Sequence, residues 1–250
     1  MEQDIRNHCA EIDRCNQRGG RMLSVVDLID AGTITRELAA YSLAAIGGGA
    51  SFMVGALPGG AGKTTVMGTL LNFIPPDVRL VPADSLETVE DGHAAQAERR
   101  CYVCHEIGSG PYYAYLWGRA LRRYFELPGA GHTIATNLHA DTYEQARTQV
   151  CDENGVPPTD FRRMNLLYFL HVDGRGWSDR RRIATVWESD GHQEHRQVFG
   201  LDDTHAPDTK HGIVTAGRLA KARSTLAALM ESGARSIQEV RTLLMTNQAW

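Results

Sequence analysis

The chain has 250 residues, 42% of them hydrophobic, and a formal net charge of −4 at pH 7, which supplies one substantial core with small additions at its ends and excludes a general nucleic-acid coat. Its five cysteines, an odd number, do not form the framework of a small secreted protein, and the expected setting is reducing and cytoplasmic. The start, Met1-Glu2-Gln3-Asp4, is acidic, and no apolar run approaches the roughly 18 residues that cross a bilayer, so direct membrane insertion is excluded and membrane association has to run through partners.

In chain order, residues 1 to about 20 predict a short polar helix and a turn. Ser24 is placed to cap a helix carrying Val25, Val26, Leu28 and Ile29; Gly32 ends it, and Thr33 or Thr35 caps a second helix through Ile46. Gly47-Gly48-Gly49 breaks that helix before a buried strand at Ser51 to Val54. A glycine-rich turn follows, Gly55-Ala56-Leu57-Pro58-Gly59-Gly60-Ala61-Gly62-Lys63-Thr64-Thr65, and then a helix over Val66 to Phe73. Pro75-Pro76 stops this helix and Val78 to Pro82 predicts the second strand. Glu87 to Arg99 reads as a surface excursion, Cys101 to Cys104 as a third strand with Glu106 at its end, and Tyr112 to Phe125 as an aromatic-rich helix. His132 to His139 makes a fourth strand and Thr142 to Cys151 a helix. Met164 to Val172 and Arg182 to Glu188 form a hairpin around Gly174-Arg175-Gly176. A further strand near Arg196 to Phe199, a polar loop and two helices, Thr215 to Glu231 and Ser236 to Thr246, close the chain.

Strand, glycine cluster, Gly-Lys-Thr and helix in that order are the layout of a phosphate-binding P-loop. Glycines let backbone N–H groups close around phosphate oxygens, the new helix offers its positive end, and a lysine supplies a mobile cation. The nucleotide-binding candidates are therefore Gly59, Gly60, Ala61, Gly62, Lys63, Thr64 and Thr65, with ATP as ligand and the Thr64 hydroxyl on Mg²⁺. Leu57 stands where the motif has its first glycine, and is expected to change the loop's shape without preventing binding. Strands alternating with helices over 50 to 150 argue for a mainly parallel α/β sheet, whose strand ends would gather Asp84, Glu106 and His139 beside the P-loop. Division into a helical arm and lead-in (1–49), a core (50–212) and a C-terminal helical segment (213–250) follows.

The lead-in Leu23 to Ile34, the P-loop, Ala83-Asp84-Ser85-Leu86-Glu87, Cys104-His105-Glu106 and Gly131-His132-Thr133-Ile134-Ala135-Thr136-Asn137-Leu138-His139-Ala140-Asp141 together resemble, in kind and order, the type II/type IV secretion and pilus-motor ATPases. The resemblance spans about residues 22 to 245 and implies a RecA-like ATPase core, a ring, expected to be a homo-hexamer, and work at a membrane-embedded secretion, pilus or conjugation machine from its cytoplasmic side. It implies Glu106 as the carboxylate polarising water or holding Mg²⁺ through water, Asp84 and Glu87 as orienting metal-bound water, and His139 as sensor of the γ-phosphate; His132 is the weaker histidine. Departures from the pattern are Leu57, Ala83, His105 and Asn137, together with the short N-terminal arm.

Other candidates read more simply. Cys101 and Cys104, three apart on a strand, point to opposite faces and do not chelate together. His192, His195, His205 and His211 match no metal-ligand spacing, and Tyr112, Tyr113, Tyr115 and Trp117 with Arg119, Arg122 and Arg123 suit a packing face better than a base-stacking one. An arginine acting on a neighbouring subunit's nucleotide would come from Arg79, Arg99, Arg100 or Arg119, among which the sequence does not choose. A nucleotide-gated scaffold with little turnover stays open beside the motor, whereas a small-molecule kinase lacks an arginine-rich lid and leaves the histidine box unexplained.

Overall fold

In the computed structural model, the described residues are 1–16, 20–94, 98–174, 180–201 and 210–250. The helices and strands are, in order, α1 (Glu2–Arg14), α2 (Val25–Asp30), α3 (Arg36–Gly47), β1 (Phe52–Gly55), α4 (Lys63–Leu71), β2 (Arg79–Pro82), α5 (Leu86–Asp91), β3 (Arg100–Ile107), β4 (Tyr115–Leu116), α6 (Arg119–Glu126), β5 (Thr133–Leu138), α7 (Tyr143–Arg147), α8 (Pro158–Phe161), β6 (Leu166–Asp173), β7 (Arg180–Glu188), β8 (Arg196–Gly200), α9 (Ala216–Ser232) and α10 (Ile237–Thr246). Capping by short polar side chains sets many of the helix starts: Ser24 with Asp27 forms a capping box on α2, Thr35 caps α3, and Ser236 with Glu239 boxes α10.

The strands form one sheet in the order β2-β3-β5-β1-β6-β7-β8, with the short β4 beside β3. Pairing is parallel from β2 to β6 and turns antiparallel at β6–β7 and β7–β8. Alternate residues feed opposite layers, as the two-residue period of a strand requires. Phe52, Val54, Cys101 and Val103 pack on one face with α1 to α4, α9 and α10. Met53, Tyr102 and Cys104 pack on the other with residues of α5 to α8. The Cys101-x-x-Cys104 pair is thus split between two cores, and all five cysteines are free and buried.

Four elements differ from expectation. The expected excursion from Glu87 begins as a helix, since the Ser85 hydroxyl accepts from the Thr88 N–H and starts α5. Tyr112 to Phe125 is not one helix: Ala114 and Gly118 take positive φ (55° and 58°), Tyr115-Leu116 pairs with β3, and the helix begins only at Arg119. Tyr112, Tyr113 and Trp117 therefore lie exposed on a loop. The third strand is longer than the expected Cys101 to Cys104, running from Arg100 to Ile107, with Glu106 next to its last residue. The helix over 142–151 changes at Thr148 into a π-helical turn, Thr148–Glu153. The hairpin forms as expected, but Arg175 and Gly176 of its tip, like His205, fall outside the described residues. Among the described residues no helix is long and apolar enough to cross a membrane, and no cluster of three or more His, Cys, Asp or Glu could hold a metal by itself.

Candidate nucleotide site

β1 is buried along its whole length and delivers the chain to the glycine-rich loop at the carboxyl edge of the sheet. Gly55 is required by close approach, because a Cβ there would stand 2.6 Å from the Ala140 carbonyl oxygen. Gly60 and Gly62 hold φ of 87° and 96°, a left-handed path that side chains disfavour, and Gly62 caps α4. Leu57 needs no such path. Its φ is not positive, its side chain is exposed, and its N–H donates to Asp141 Oδ1 at 2.6 Å.

Lys63, the first residue of α4, is buried and turns back under the loop. Its Nζ lies 3.1 Å from the Ala56 carbonyl oxygen, 3.3 Å from His139 Nδ1 and 3.7 Å from Glu106 Oε1. His139 Nε2 is 3.9 Å from Glu106 Oε2, which closes a triangle of one ammonium, one imidazole and one carboxyl. Because the ammonium donates to Nδ1, the ring proton of a neutral His139 sits on Nε2, facing Glu106. Burial, opposed by Lys63, pushes the Glu106 carboxyl up to about 7. Burial and then the Lys63 charge lower His139, so the imidazole is neutral at neutral pH. Glu106 Oε1 is a buried oxygen without a hydrogen bond among the described residues.

A bulge aims Glu106. In the β3–β5 ladder Cys104 pairs with Thr136 and Ile107 with Leu138, so β3 carries one extra residue over His105-Glu106. The Asn137 Nδ2 donates to the His105 carbonyl oxygen at 2.8 Å and holds the bulged backbone from the neighbouring strand. Position 137, one of the departures from the resembled pattern, thus has a structural use. His105 is itself held: its ring meets Tyr113 edge-on at 5.3 Å, and Cys15 Sγ from the α1 end lies 3.5 Å from its Nε2.

The remaining sequence candidates fall elsewhere. Asp84 is exposed and accepts from the Thr88 hydroxyl at 2.9 Å; Glu87 is exposed on α5, and among the described contacts neither meets Lys63, Glu106 or His139. Thr64 and Thr65 follow Lys63 in the first turn of α4, partly accessible. His132 lies at the opposite end of β5 from His139, where Nδ1 accepts from the Arg100 N–H and Nε2 contacts the Gly92 carbonyl oxygen, a latch between β3, β5 and the end of α5. Arg79 and Arg100 stand at the first residues of β2 and β3, at the sheet edge away from the P-loop, and Arg99 packs over Gly49 on that edge.

Two residues beyond the sequence candidates hold the loop. Asp141 takes the Leu57 N–H, and Arg181 at the start of β7 donates from Nε to the Gly60 carbonyl oxygen at 3.0 Å. The hairpin reading contained the signal for Arg181, since an antiparallel strand following the last parallel one must begin at the carboxyl edge. Beside Leu57 and His139 a cavity of about 490 Å³ runs along the π-helical turn, lined also by Glu144, Gln145, Thr148 and Gln149.

A P-loop after the central strand, and a glutamate strand separated from it by one intervening strand, define the RecA-like P-loop fold. No family profile matches the chain, and no curated protein does. Among solved structures it is similar to the VirB11 ATPase from the Brucella suis type IV secretion system, in complex with sulphate, at 18% identity and a TM-score of 0.43 over 58% of this chain and 50% of that one. It is also similar to the Legionella pneumophila ATPase DotB, at 9% identity and a TM-score of 0.38 over 95% of this chain and 62% of that one. The chain thus spans half the length of the first and under two thirds of the second.

Proposed function

We propose that the chain hydrolyses ATP as a ring-forming motor of the secretion, pilus or conjugation class, a hexamer acting from the cytoplasmic side on a membrane machine. The observation that carries the hydrolytic part is the triangle of Lys63, Glu106 and His139 directly beneath the P-loop. The glycine-lined loop, the α4 start and the Glu106 oxygen that lacks a hydrogen bond suit a nucleotide with its metal. Thr64 and, through water, Glu106 would hold Mg²⁺, which neutralises phosphate charge when bound.

Lys63 supplies the cation for the phosphates. Glu106, ionised above about pH 7, accepts the proton of an attacking water. His139, neutral and touching both, reports a change in either to the exposed surface at residue 139. The ring and the transport role follow from the sequence resemblance, with 50–212 as the motor core and 1–49 and 213–250 as its attachments.

Steady-state ATP turnover measured alongside light-scattering mass with ATP and Mg²⁺ tests this. Turnover with assembly is expected, lost on Lys63→Ala, and a monomer that binds ATP without turnover overturns the motor. That last outcome would favour a nucleotide-gated scaffold, a reading supported by the position of Asp84 and Glu87 outside the ionic triangle.

A further inference from the structure

Lys63 does not meet the phosphates as an uncommitted charge. Its ammonium already faces a carboxylate, an imidazole and a carbonyl oxygen. A polyphosphate brings several negative charges to this loop, and part of the Lys63 charge is spent on Glu106. A second cation from the same chain stands at the rim.

Arg181 reaches the loop from β7, where it pairs in register with Val172 on the strand adjacent to β1. Its Nε donates to the Gly60 carbonyl oxygen, and its Cδ passes 3.5 Å from the position a Cβ of Gly62 would take. The arginine therefore crosses the loop at Gly60 and Gly62, just before Lys63. Its neighbour Arg182 is paired with Asp173, but Arg181 is exposed and makes no ion pair among the described residues. A guanidinium anchored through Nε keeps four other N–H donors in a planar fork suited to phosphate oxygens.

We infer that Arg181 is a second phosphate-binding cation of this site, supplied in cis, which steadies the Gly60 carbonyl and pairs with the phosphates of a bound nucleoside triphosphate. This rests on reading the loop as a nucleotide site. The anchoring bond also turns the Gly60 carbonyl toward the arginine, so one contact serves both to shape the cradle and to place charge beside it.

The test is calorimetric titration of the full chain with inorganic tripolyphosphate and with ATP, at low and at high salt, for the wild type, Arg181→Gln, Arg181→Lys and Lys63→Ala. Arg181→Gln is expected to weaken both ligands about tenfold or more, the loss of one charge-assisted hydrogen bond, and to flatten the salt dependence. Arg181→Lys is expected to recover the salt dependence and part of the affinity. The ligand-free melting temperature of Arg181→Gln should stay within about 2 °C of the wild type, as for other exposed substitutions.

Wild-type affinity in Arg181→Gln, with Lys63→Ala still impaired, overturns the role of Arg181 and leaves the nucleotide site standing. Equal loss in Arg181→Gln and Arg181→Lys, with a lowered ligand-free melting temperature, also overturns it, because bracing alone would then suffice. If neither ligand binds the wild type, the nucleotide reading falls and takes this inference with it.

Discussion

Replacing Glu106 by glutamine keeps the shape of the side chain and removes its titration, so the variant isolates what ionising this carboxyl costs the fold. The folded carboxyl sits at about 7 against an ordinary 4.5. Its folded value is raised, so its contribution to stability is full below the unfolded value and is lost as pH climbs through the folded one. The whole shift corresponds to about 3 kcal/mol, of which about 2.5 kcal/mol falls between about pH 5 and about pH 8.5. At the acid end wild type and variant are both neutral at this position. At the alkaline end the wild type carries a buried carboxylate that Lys63, at 3.7 Å, only partly compensates. Denaturant unfolding of both proteins at the two pH values gives the result as a difference of differences, in which any pH-independent loss at Lys63 cancels. The gap should move by about 2.5 kcal/mol in favour of Glu106→Gln, which is about 5–10 °C in melting temperature for a domain of this size. A gap that stays constant across the range would refute the idea that burial holds this carboxyl near neutrality. The same group should give turnover an alkaline-favoured limb near pH 7, with Glu106→Gln losing turnover while still binding ATP.

Asn137→Leu removes the amide that holds the His105 carbonyl oxygen at the bulge. Leaving that buried acceptor unsatisfied should cost about 1–3 kcal/mol, read by denaturant unfolding, and turnover should fall further than ATP affinity because Glu106 loses its aim. An equal fall in both would show that the bulge does not direct the carboxyl. Leu57→Gly should leave ATP affinity within about threefold, since position 57 takes no glycine-only conformation and its N–H is held by Asp141. Conversion of a non-binder into a binder by that change would disprove it.

Much of the framework was readable because its signals are local. Ser24, one of Thr33 and Thr35, and Ser236 mark helix starts, the glycine run marks the loop, and strand alternation separates Cys101 from Cys104. Of the three strand-end residues expected beside the P-loop, Glu106 and His139 lie within contact of Lys63, whereas Asp84 is exposed and bonded to Thr88. What escaped was set by non-local geometry. The extra residue in β3 shows only against β5, and the aromatic stretch from Tyr112 looked helical because its period gives no sign of the positive φ at Ala114. Arg181 lies more than a hundred residues from Gly60, and only the hairpin's return places it there.

The packing of α1 has a mechanical side. His8 Nε2 lies 3.1 Å from the Leu71 carbonyl oxygen at the end of α4, Ile12 lies against Gly68 midway along α4, and Cys15 touches His105 beside the carboxyl. One short helix therefore bears at once on the rod that presents the lysine and on the strand that presents the glutamate. It is a yoke between them, in contact with both the helix that begins at Lys63 and the strand that carries Glu106.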